Sequence, residues 1–177
     1  MTDAATEQLD ATEIEALARW GFGELRRRDL SQAESIWAQD ATDRFPTGDA
    51  VGRDAIVAFF EEMFAAFPDI EITVEAVTPA PPRVIVQWRA VGTFTGGRFQ
   101  GVRPTGRRVE FNGCDVVLVR GKLVEFNHVY WDGAALARQI GMLPREGSPL
   151  DRAFTGAFNA LTWVRTLGGR RLGGARR

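Results

Sequence analysis

The chain has 177 residues, 45% apolar and 25% charged, the balance of one ordinary globular domain long enough to bury a core. A net charge of −1 offers no strongly basic face, so no nucleic-acid partner is expected. Cys114 is the only cysteine and His128 the only histidine, which excludes an internal disulfide framework and makes no metal site the expectation.

The start, "MTDAATEQLD", lacks the basic residues and apolar run of a secretory signal. No apolar stretch reaches the roughly 20 residues that cross a bilayer. The expected location is cytoplasmic. Charge is uneven at the ends: Asp3, Glu7, Asp10, Glu13 and Glu15 stand unopposed at the front, and Arg165, Arg170, Arg171, Arg176 and Arg177 at the back, so both ends are expected to be solvated.

Ile14, Leu17, Phe22 and Leu25 predict a helix over 11–29, capped by Thr12. Ser31 with Glu34 has capping-box spacing and predicts a short helix carrying Ile36 and Trp37. "ATDRFPTGDAVG" then reads as a short strand and a loop. Residues 53–67 give the clearest helix, with Ile56, Phe59, Phe60, Met63, Phe64 and Phe67 on one face too aromatic to be exposed.

After Pro68 the period falls to two. Ile70, Ile72, Val74 and Ala76 alternate with polar residues as in a half-buried strand. "TPAPPR" reads as a loop because its prolines leave too few backbone donors for a ladder. "RVIVQWRAVGTFTG" and "RRVEFNGCDVVLVR" are two further strands, with Gln87 and Arg89 on the face opposite Trp88. "RGK" turns tightly into "KLVEFNHVYW", and "DGAALARQIG" returns to helix. Helices followed by long antiparallel strands predict an α+β fold, with N-terminal helices packed on a strongly curved, mainly antiparallel sheet that encloses a pocket. The expected division is a cone domain over 11–145 and a C-terminal segment over 146–177, consisting of a linker, an amphipathic helix and a disordered "GGRRLGGARR" tail.

Several short stretches, in order, resemble a known family. "GRDAI", "AFPD", "GTFTG", "PTGR", "GK.VE" and "YWD…RQIGMLP" are similar to the SnoaL-like polyketide cyclases of the nuclear-transport-factor-2-like superfamily, from about Leu30 to Pro144. The resemblance implies an α+β cone and an intramolecular aldol ring closure, with an aspartate as acid/base and neither metal nor cofactor. That aspartate matches Asp132. Many relatives carry a histidine where this chain has Phe94, and another in the early strand where it has "TDRFP", so two proton carriers of the family are missing.

The expected catalytic group is Asp132, with His128 and Tyr130 orienting or polarising. His128 and Asp132 share a strand face but lie about 13 Å apart at ~3.3 Å per residue, too far for a direct hydrogen bond. Asp132 is equally suited to capping the helix that follows it. Trp88, Phe60, Phe64 and Phe94 are expected to wall the pocket, and Asp43 and Asn112 to supply polar contacts. The expected function is cofactor-independent acid/base chemistry, of aldol cyclase, isomerase or hydrolase type, on a small hydrophobic carbonyl- or epoxide-bearing metabolite. The alternative is a non-catalytic ligand-binding or oligomerisation module of the same fold. A homodimer is expected from the exposed sheet face. For the C-terminal helix, docking on its own domain or a twin subunit is favoured over contact with a membrane surface.

Overall fold

The computed structural model describes residues 8–173, with side chains to 166. Helix α1 (Ala11–Arg27) is capped by Asp10 rather than by Thr12: the Asp10 carboxylate accepts from the Thr12 and Glu13 amides, and Glu13 accepts from the Asp10 amide. The aspartate takes the capping position because its side chain satisfies two amides that otherwise lack partners. Helix α2 is a single turn (Ala33–Ile36) without a side-chain cap. Ser31 does not form the predicted capping box; its amide donates to Asp29. Trp37 opens strand β1 (Trp37–Phe45) instead of ending the helix.

A hairpin joins β1 to β2 (Gly48–Val51), and helix α3 (Arg53–Ala66) follows. Next come β3 (Glu71–Ala80), β4 (Arg83–Thr93), β5 (Arg108–Arg120) and β6 (Leu123–Trp131), then helix α4 (Gly133–Ile140) and helix α5 (Pro149–Gly173). The expected "TPAPPR" loop is instead the end of β3, with Pro79 opposite Val84 and only Pro81 and Pro82 left to turn the chain. β3 is the edge strand, and a proline on an edge can place its missing N–H on the unpaired side.

The six strands form one sheet in the order β2-β1-β6-β5-β4-β3. Every pairing is antiparallel except β1 with β6, which is parallel. The fold is therefore the α+β arrangement expected from the sequence: helices first, then a curved, mostly antiparallel sheet left unclosed. Helix α1 lies against β3 and β4, α3 against β1, and α4 against β5.

Alternation along the strands fills the interior. Ala41, Asp43 and Phe45 point inward from β1, and Val84, Val86, Trp88 and Ala90 from β4. Gln87 and Arg89 are exposed on the other face. Phe45 stacks on Phe59 with ring centroids 3.8 Å apart, and Trp37 packs on Phe60 at 5.7 Å. Each fully buried side chain of this size contributes roughly 1.5–3 kcal/mol, so the aromatic face of α3 joins the sheet into a single core.

Among the described residues, helix α5 packs extensively on no other element, and Leu150, Phe154, Phe158, Leu161, Trp163 and Val164 are all exposed. Among the described residues no helix is long and apolar enough to cross a membrane. The expected disordered tail is helical as far as Gly173, and 174–177 lie outside the described residues, as do the acidic 1–7.

Candidate functional site

Two adjoining cavities of about 60 and about 50 Å3 occupy the interior. Phe22, Leu25, Phe60 and Asp115 border both. The first cavity is walled mainly by aromatic side chains, including Phe45, Phe59, Trp88, Phe111 and Trp131; the second adds Trp37, Asp43 and Asn127.

Asp43, Asp115 and Asn127 face inward because each occupies an inward position of its strand. They meet because β1 and β5 flank β6. Asp43 lies opposite Asn127 across the parallel pair, and Asn127 lies opposite Val117, two residues beyond Asp115 on the same face. Asp115 is the hub. Its Oδ1 accepts from Trp88 Nε1 at 2.7 Å and its Oδ2 from Asn127 Nδ2 at 2.8 Å.

Gly113 makes the first of these bonds geometrically accessible. A Cβ at this position would stand 2.2 Å from Trp88 Cζ2. The bare backbone lets the indole lie across β5 and reach the carboxylate two residues further on.

Asp43 is 1% exposed, and neither of its oxygens has a hydrogen-bond partner; Asn127 Oδ1 and Trp131 Nε1 are buried without one as well. An ionised carboxylate in that position would be very costly. Burial, reinforced by the nearby Asp115 charge, pushes Asp43 up to about 8, with the polar groups of Asn127 and Trp37 opposing the shift. Burial pushes Asp115 up to about 6, opposed by the hydrogen bonds from Trp88 and Asn127. Near neutrality Asp43 therefore holds its proton while Asp115 is largely ionised. Two carboxyls driven apart in this way form an acid and a base in one apolar interior.

The residues expected to be catalytic lie elsewhere. His128 and Tyr130 do share a face of β6, but it is the outer one, opposite Asn127, Val129 and Trp131. There the Tyr130 hydroxyl and His128 Nδ1 form a hydrogen bond at 2.8 Å, and Tyr130 is 50% exposed. Asp132 is exposed and caps α4, accepting from the Ala135 amide at 2.9 Å; it lines neither cavity.

Of the expected wall residues, Trp88 and Phe60 line the first cavity. Phe94 is fully buried behind the wall, stacked on Phe67 at 5.0 Å, and Phe64 packs on Phe60 at 6.1 Å without reaching either cavity. Asn112 lies on the outer face, opposite Arg89. Asp43 is inside. Sequence reasoning missed Asp115 and Asn127, although "GCDVVLV" carries the signal: Asp115 falls on the same parity as the core residues Val117 and Val119. Among the described residues no group of three or more His, Cys, Asp or Glu is placed to hold a metal ion.

The model of the SnoaL-like polyketide cyclase family matches residues 17–140. The chain belongs to the SnoaL-like polyketide cyclase family. No curated protein matches it. Among solved structures, this SnoaL-like chain is similar to a proposed polyketide cyclase of the same family from Jannaschia sp. CCS1, at 22% identity and a TM-score of 0.68, covering 81% of this chain and 99% of that one. AclR, a proposed hydroxylase from Streptomyces galilaeus, matches at 24% identity and a TM-score of 0.68, covering 88% and 98%. IdmH, a proposed polyketide cyclase from Streptomyces antibioticus, matches at 24% and 0.61, covering 71% and 96%. At these identities the three structures support the fold.

Three outcomes test this description of the SnoaL-like interior. Replacing Gly113 with alanine displaces the Trp88 indole from Asp115 and destabilises the domain by about 1–3 kcal/mol, the range for overpacking a core; denaturant unfolding followed by Trp fluorescence reads both effects. Both buried carboxyls have folded pKa values above the usual 3.8, so the folded state binds more protons than the unfolded one. Their contribution to stability is complete below the unfolded pKa and is lost as pH rises through about 6 for Asp115 and about 8 for Asp43. Unfolding free energy should therefore fall between pH 5 and 8, and Asp43→Asn should remove the part of that slope above pH 6. Finally, Asp132→Ala costs about 1 kcal/mol through the lost cap, and Asp132→Ser restores it.

Proposed function

We propose that this SnoaL-like protein is a small-molecule enzyme that uses Asp43 as general acid and Asp115 as general base on a hydrophobic carbonyl- or epoxide-bearing metabolite, without a cofactor. The observation that carries this reading is the meeting of two buried carboxyls in one apolar interior, Asp43 with no hydrogen-bond partner on either oxygen and Asp115 held by Trp88 and Asn127, surroundings that raise both pKa values but Asp43 further. The family's name as polyketide cyclases supports the carbonyl class.

For a carbonyl substrate the steps balance as follows. Asp115 takes a proton from the carbon next to the carbonyl, the C–H electron pair becomes the enol double bond, and the carbonyl oxygen receives the proton of Asp43. The enol carbon then attacks a second carbonyl of the same molecule and forms the ring bond. The new alkoxide takes its proton from Asp115, and the enol hydroxyl returns one to Asp43. Asn127 and Trp88 hold Asp115 in place during both transfers. The free Trp131 N–H at the first cavity is a further donor for a substrate oxygen. Exclusion of water strengthens each of these interactions.

One observation favours the alternative of a non-catalytic ligand-binding or oligomerisation module, and within it the oligomerisation role. Cavities of about 60 and 50 Å3 hold far less than the several hundred Å3 of an ordinary ligand pocket. A ring-sized ligand has to displace Phe22, Leu25 or Phe60, the side chains that separate the two spaces.

Proton–deuterium exchange at the carbons next to the carbonyl of 2-tetralone, followed by NMR in heavy water, distinguishes the readings. The enzyme reading expects exchange well above the buffer rate, reduced about 100-fold by Asp43→Asn or Asp115→Asn and unaffected by Asp132→Ala. Exchange that survives both asparagine substitutions sinks the assignment, and binding without exchange assigns the module.

A further inference from the structure

Outside the cone, four arginines converge on a second concave site. Arg107 just before β5, Arg108 at its start, Arg138 on α4 and Arg145 beyond it line an open cleft of about 520 Å3, together with Gln139 and Glu146. Glu146 is the single acid there. Among the described residues, none of the four arginines has a carboxylate within salt-bridge distance. Arg89, a short way along the sheet, shows the contrast: its guanidinium is held by Glu110 at 2.6 Å.

The cleft is fixed by the fold. Gln139 grips the edge of β5 reciprocally, its Oε1 accepting from the Glu110 amide at 2.7 Å and its Nε2 donating to the Glu110 carbonyl at 2.8 Å. That clamp sets α4 beside Arg107 and Arg108. Gly141, in the left-handed conformation at φ 85° that ends α4, leaves room for the Arg107 guanidinium, whose Cζ would lie 2.6 Å from any Cβ there. Arg138 Nε is buried and has no hydrogen-bond partner. Cations at a helix C-terminus gain a little from its dipole. That interaction gives no reason for Arg107 and Arg108 to join them, nor for leaving a buried guanidinium N–H unsatisfied.

We propose that this cleft binds a multiply charged phosphate-type oxyanion, either free or as part of a larger ligand. Four guanidinium forks face one lining carboxylate, and even with Arg108 offset by the nearby Asp69 an excess of about two positive charges remains. Their planar donor pairs suit tetrahedral oxyanions bound bidentately. A single carboxylate would leave most of that charge uncompensated. The site stands apart from the acid/base reading: α4 presents Leu136 to the cavity and Arg138 to the cleft.

The test is titration of the full chain with pyrophosphate, inorganic phosphate and acetate at low salt, by calorimetry and by NMR of the arginine Nε–H groups. Affinity should fall in that order, and the Arg138 Nε–H resonance should shift on binding. Arg107→Gln and Arg145→Gln, both exposed positions, should each weaken pyrophosphate about tenfold, the scale of one charge-assisted pair. Arg138→Gln should do the same, and Arg89→Gln should change nothing. A phosphorylated ligand that binds much more tightly than pyrophosphate would identify the larger-ligand source, and equal affinity the free anion. Pyrophosphate binding that is unaffected by the cleft substitutions, or weakened equally by Arg89→Gln, overturns the proposal.

Discussion

The interior of this domain is organised by the cost of burying negative charge. Two carboxyls share an apolar space in which a pair of carboxylates would be severely destabilised. The chain resolves the conflict by giving them unequal surroundings. Asp115 receives two donated hydrogen bonds and stays the stronger acid of the pair; Asp43 receives none and keeps its proton. Much of the local architecture supports this inequality: a glycine under Trp88, an asparagine between the two acids, and an aromatic shell that keeps water out.

The same reasoning separates the interior from the outer face of β6. His128 and Tyr130 have the side chains most readily associated with proton transfer, yet on the convex face they contact one another, Phe126 and solvent. On a strand, a shift of one residue exchanges the buried face for the exposed one. A candidate's chemical type therefore says less about its role than the parity of its position.

The sequence made legible whatever depended on local periodicity. Helix α3, the alternation of β4 and the turn between β5 and β6 all follow from residues close together in the chain, and the ordered family motifs identified the cone. The parallel pairing of β1 with β6 was not legible, because it joins distant segments and leaves no local pattern. Since Asp43 meets Asn127 only through that pairing, the polar network was hidden with it. In the sequence Asp43 stands as one isolated polar residue, and Asp115 lies next to a run of valines. The cap of α4 at Asp132 is legible, whereas the cap of α1 is not, for a smaller reason. Asp10 and Thr12 are both good caps, and the choice between them turns on backbone angles that composition does not fix.

The β1–β6 pairing also bears on how the molecule comes into being. Its partners lie near the two ends of the cone's sequence, so nearly the whole domain must be synthesised before they can meet, and the contact carries the entropy cost of closing a long loop. Pairings of this kind slow folding. The hairpins β3–β4, β4–β5 and β5–β6 can form from neighbouring segments alone, whereas the pocket's polar centre waits for the first strand to find the last. A nascent or truncated chain could carry most of the sheet and still contain no acid pair, so completion of the fold and appearance of the site are the same event.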